Sequence, residues 1–83
     1  MSESVGPEVV LLTRPGCHLC EDARLVLRRV GEDLGIPWQE RSAEEDPELA
    51  ARFGEEIPVL FIDGVQRDFW KIDETRLRRL LGS

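Results

Sequence analysis

The sequence predicts an α/β domain in the order β-α-β-α-β-β-α, a four-stranded mixed sheet flanked by three helices. Three observations carry this expectation. Two short apolar, β-branched runs, Glu8 to Thr13 and Pro58 to Ile62, each stop at a strong turn signal. Leucines and valines recur at helical spacing after the first run and near the C-terminus. A βαβ unit followed by a hairpin and a last helix gives parallel strands by right-handed crossover, with helices for both faces of the sheet.

The first strand, EVVLLT, does not alternate apolar with polar, so it reads as central and buried on both faces. Arg14-Pro15-Gly16 breaks it. From Cys17 the period becomes helical, with Leu19, Ala23, Val26, Leu27, Val30 and Leu34 on the expected inner face and Gly35 closing the helix. Pro37 to Ser42 is polar enough to be an edge strand. Asp46-Pro47-Glu48 has an N-cap residue followed by proline in the first turn, which starts a short helix running to about Phe53. Asp63-Gly64 is a hairpin signal between Pro58 to Ile62 and a partner strand from Val65 to Trp70. Asp73 is placed to cap a final helix whose Leu77, Leu80 and Leu81 face inward.

The length of 83 residues suits one domain, here residues 8–83, after a disordered lead-in over Met1 to Pro7. With 41% hydrophobic and 34% charged residues the composition is that of a folded globular chain. The N-terminus lacks a basic stretch followed by an apolar one, and no run is long enough to span a bilayer, so a cytoplasmic protein without membrane contact is expected. A monomer is expected too. The net charge of −6, with arginines interleaved among acids and leucines, argues against a nucleic-acid surface.

Cys17-His18-Leu19-Cys20 stands where the first strand hands over to the first helix. A thiol there faces unpaired backbone N–H groups and the positive end of the helix dipole, which favour thiolate. Cys17 is therefore expected as the exposed nucleophile with a lowered pKa, and Cys20 as the shielded resolving thiol. Protonated His18 and nearby Arg14 would add to that effect, while Glu21 and Asp22 oppose it. Other readings compete. Zinc needs about four ligands and only His18 stands beside the pair, so no metal is expected, with a dimer-bridging ion as the residual alternative. A disulfide closing so short a loop would constrain little of the unfolded chain. Two inert thiols remain the plain alternative.

Thr13-Arg14-Pro15-Gly16-Cys17-His18-Leu19-Cys20, with Glu56-Ile57-Pro58-Val59 ahead of a strand, resembles the glutaredoxin family of the thioredoxin superfamily. The likeness is nearest to small bacterial glutaredoxin-like proteins with a C-H-L-C motif, and it runs from about Val9 to Leu81. It implies a thioredoxin-like fold, with Cys17 as nucleophile and Cys20 as resolving cysteine. It puts Arg14 where glutaredoxins commonly carry a lysine that helps hold a glutathione carboxylate. It makes Ile57-Pro58 a cis-proline dipeptide beside the cysteines, whose turned backbone would pair with an extended substrate. The chain departs from the family after the hairpin. Asp68-Phe69-Trp70-Lys71-Ile72-Asp73 has no glycine where many glutaredoxins have a Gly-Gly pair for glutathione. Asp73 falls near the family's acidic contact, though its plainer role is an N-cap; Phe69 and Trp70 either narrow the groove or simply pack.

The expected function is dithiol reduction of protein disulfides or glutathione mixed disulfides, with Arg14, His18, Ile57, Pro58 and Asp73 as substrate-binding candidates. No bound cofactor is expected. Glutathione, another small thiol or a thioredoxin reductase would return the electrons. The alternatives are a non-catalytic binding module of the same fold and, third, a metal-handling protein.

Overall fold

The computed structural model describes residues 7–82, so the lead-in expected over Met1 to Pro7 lies, Pro7 apart, outside the described residues. The elements are β1 (Val9–Thr13), α1 (His18–Leu34), β2 (Gln39–Ser42), a 3-10 turn (Ala43–Glu45), α2 (Pro47–Phe53), β3 (Val59–Ile62), β4 (Val65–Phe69) and α3 (Glu74–Gly82). The sheet order is β2-β1-β3-β4. β1 runs parallel to β2, with Leu11 opposite Glu40, and antiparallel to β3, with Leu11 opposite Leu60. β3 and β4 form the hairpin, turning through Asp63 and Gly64, both at positive φ.

The apolar strands β1 and β3 occupy the centre, and the polar strands β2 and β4 form the edges. Strand alternation splits the core in two. Val9, Leu11, Leu60 and Ile62 pack on one side with Ala23, Leu27 and Val30 of α1 and Leu77 of α3. Leu12 and Val59 point to the other side, with Leu49 and Phe53 of α2. The buried leucines contribute about 1.5–3 kcal/mol each by removal from water. Phe53 meets Phe61 edge-to-face at a centroid separation of 5.2 Å, which fixes α2 on that face.

Three details differ from the sequence reading. Leu19 and Leu34 are 40% and 38% exposed, because the inner stripe of α1 begins at Cys20, runs through Ala23 and Leu27 and ends at Val30. The strands are shorter at several ends, and β4 stops at Phe69, since Trp70 has φ 62° and cannot continue the pleat. A 3-10 turn follows β2 directly, capped by the Ser42 hydroxyl, which accepts the Glu44 N–H at 3.2 Å.

Helix ends follow their chemistry. Asp46 Oδ1 accepts the Leu49 N–H at 3.1 Å, with Pro47 in the first turn of α2. α1 ends at Gly35 in the left-handed region, and the N–H groups of Gly35 and Ile36 both reach the Gly31 carbonyl. Arg29 and Arg78 converge on Glu74, at 2.7 and 2.9 Å, and tie α1 to α3.

Candidate active site

β1 delivers the chain to a tight turn at Arg14-Pro15-Gly16, with Gly16 at φ 68°, and the turn presents Cys17 as the N-cap of α1. The Cys17 sulfur accepts the Cys20 backbone N–H at 3.1 Å. One turn of helix brings the two residues to a Cα separation of 5.2 Å, and their sulfurs are paired as a disulfide. The two ends of that bond differ. Cys17 is half-buried, whereas Cys20 is fully buried among Leu12, Ile57 and Val59.

The Ile57-Pro58 peptide is cis, and both residues are buried at the start of β3. Ile57 shares a packing cluster with Cys20, so the segment before β3 abuts the cysteine pair. A shallow groove of about 540 Å³ opens beside it, lined by Arg14, Pro15, Ala43, Glu44, Ala50, Gly54 and Ile57. The structure thus brings Arg14 and Ile57 together on one groove. His18 is exposed on the first turn of α1 and does not line it.

Asp73 does not line it either. Its Oδ1 accepts the Arg76 N–H at 3.1 Å and caps α3, and its own N–H donates to Asp68 Oδ2. Phe69 and Trp70 stack edge-to-face at 5.1 Å and line a separate groove beside β4, so they leave the Arg14 groove open.

Sequence reasoning missed a support beneath the turn. Thr13, 2% exposed, donates its hydroxyl to Glu40 Oε2 at 2.6 Å, and Arg24 donates to the same carboxylate at 2.8 Å. The bond from Arg24, and then that from Thr13, holds the Glu40 carboxyl below its ordinary range against the opposing effect of burial. β1, β2 and α1 are joined just before Arg14. Only the strand register brings Thr13 to Glu40, and nothing local in either segment signals it.

Among the described residues no group of three or more His, Cys, Asp or Glu side chains is placed to hold one metal ion. No helix among them is long and apolar enough to cross a membrane.

The Glutaredoxin-like domain family (DUF836) matches residues 8–82. An uncharacterised protein of Mycobacterium tuberculosis is 36% identical over 77 residues, covering 87% of this chain and 79% of its own length. The solution structure of a Nitrosomonas europaea protein superposes with a TM-score of 0.80 at 22% identity, covering 99% of this chain and 100% of that one. A thioredoxin from Fasciola hepatica gives a TM-score of 0.65 at 20% identity over 92% of this chain and 78% of its own. These likenesses show the thioredoxin-like fold.

Proposed function

From the premise that the chain belongs to the glutaredoxin-like domain family, we propose that it is a dithiol–disulfide oxidoreductase acting through Cys17 and Cys20. The observation that carries this reading is the bonded pair at the N-terminus of α1, Cys17 half-buried and Cys20 fully buried.

In the reduced state the Cys17 thiolate attacks one sulfur of a substrate disulfide. The substrate S–S bond breaks, a Cys17–substrate disulfide forms, and the leaving thiolate takes a proton. Deprotonated Cys20 then attacks the Cys17 sulfur, closing the Cys17–Cys20 bond and releasing the second substrate thiol. Two electrons and two protons pass to the substrate. The Cys20 N–H bonded to the Cys17 sulfur, with the helix dipole behind it, favours negative charge on Cys17. The Arg14 guanidinium on the groove wall offers a fork for a substrate carboxylate, and the backbone of Ile57, without a backbone partner among the described residues, suits an extended chain. Two molecules of a small thiol such as glutathione, or a reductase, would return the dithiol.

The test is insulin or mixed-disulfide reduction by the full chain, with glutathione plus its reductase compared against thioredoxin reductase as electron source. Cys17→Ser should abolish turnover and trap no partner. Cys20→Ser should accumulate a covalent Cys17–substrate adduct. A wild-type chain inert with both electron sources and with dithiothreitol would sink the reading.

A further inference from the structure

Trp70 stands one residue past β4, in a backbone conformation that bulky residues rarely adopt, with φ 62°. Its position is fixed by three hydrogen bonds, all to the segment 55–58. The Trp70 N–H is shared between the carbonyls of Pro58, at 2.8 Å, and Glu56, at 3.1 Å. The indole Nε1–H donates to the Glu55 carbonyl at 2.8 Å. One residue therefore holds the carbonyls on both sides of Ile57 and the one before them. Ile57 itself lies in one buried cluster with Cys20, Leu12 and Val59, and among the described residues its own N–H and C=O have no backbone partner.

Trp70 is thus linked towards the cysteines by backbone bonds to segment 55–58 and then by the buried cluster that holds Ile57 and Cys20. Trp70 as a residue remains 53% exposed. Burial gives little reason for a large aromatic at a left-handed position; its bond to Glu55 does. We propose that Trp70 is a positioning residue. It sets segment 55–58 against the Cys17–Cys20 pair, and so fixes how an extended disulfide substrate is held at Ile57. This deepens the dithiol-exchange reading and rests on it. Trp70 touches no reacting atom; it acts through the backbone that an extended substrate would meet.

Two variants separate its parts. Trp70→Phe keeps a ring and removes the Nε1 donor. Trp70→Gly keeps the backbone N–H, suits the positive φ and removes the ring. Each is assayed with a peptide disulfide long enough to lie along Ile57, and with hydroxyethyl disulfide, which is small enough to meet Cys17 alone. Both variants should raise KM for the peptide by about threefold to tenfold, the scale of one lost hydrogen bond, with kcat held. Rates with hydroxyethyl disulfide should not change. Equal loss on both substrates, or no change on either, would overturn the proposal.

If the wild type turns over neither substrate, the function reading fails, and the positioning role is judged by hydrogen exchange. The Glu56 N–H, bonded to the Phe53 carbonyl at 2.9 Å, should then exchange faster in Trp70→Phe while the Leu11 amide does not. An unchanged Glu56 rate would overturn it.

Discussion

The Thr13 hydroxyl reaches across the parallel β1–β2 pair to the carboxylate of Glu40, 2.6 Å away, which Arg24 also grips from α1. Three elements meet at this carboxylate, one residue before the turn that carries Arg14 and leads to Cys17. Thr13→Val keeps the β-branched shape and removes the hydroxyl. It should cost about 1–2 kcal/mol, since a bond to a charged acceptor is worth more than a neutral one. Urea denaturation is the check.

Cys17 as the N-cap of α1 makes a prediction about the reduced protein. Its sulfur already accepts the Cys20 N–H, so the thiolate gains a donor that a free cysteine lacks. Iodoacetamide alkylation against pH should show Cys17 titrating below the free-cysteine range. A value at or above that range would remove the main electrostatic support for the proposed nucleophile.

Gly31→Ala decides between two opposing effects in α1. Alanine gains roughly 0.5–1 kcal/mol of helix propensity over glycine. A Cβ at this site, however, would lie 2.9 Å from the Ile36 carbonyl oxygen and 3.2 Å from the Trp38 ring. The Ile36 contact is backbone, held by the Ile36 N–H bond to Gly31, so it has little room to give. The expected net effect is a loss of about 1–2 kcal/mol, by the usual cost of overpacking. Thermal melting of the variant tests the sign.

Hydrogen bonds from Arg29 and Arg78 hold the Glu74 carboxyl down from 4.5 to about 2. A folded-state pKa below the unfolded one means that the carboxylate supports the fold fully above the unfolded value. That support is lost as pH falls through about 2. The three groups lie at the surface, so the effect is modest and shrinks with salt. Glu74→Gln should lower the melting temperature at neutral pH and flatten its fall on acidification. A wild-type and variant difference that does not change with pH would contradict the assignment.

The parts of the molecule legible in the sequence were those with local causes. The apolar runs of β1 and β3, the Asp63-Gly64 turn, the Asp46 and Asp73 caps and the strand-to-helix placement of Cys17 all follow from residues close in the chain. Leu19 shows the limit. The helical period is right, but an apolar residue one position off the stripe reads as part of it, and Cys20 takes the buried place instead. Of the substrate-binding candidates, Arg14 and Ile57 meet on one groove, whereas Asp73 lies away from it and caps α3. Thr13 with Glu40, and Trp70 with segment 55–58, were illegible because strand register and loop packing bring them together across 27 and 12–15 residues of chain.

The full burial of Cys20 makes the two sulfurs unequal before any reaction begins. A bulky thiol reagent added to the reduced native chain should stop at one equivalent, and take the second only in denaturant. Under the proposed mechanism, a substrate bound to Cys17 would meet its resolving thiol from inside the fold and not from the surrounding solution. The packing that hides one sulfur gives the pair a direction.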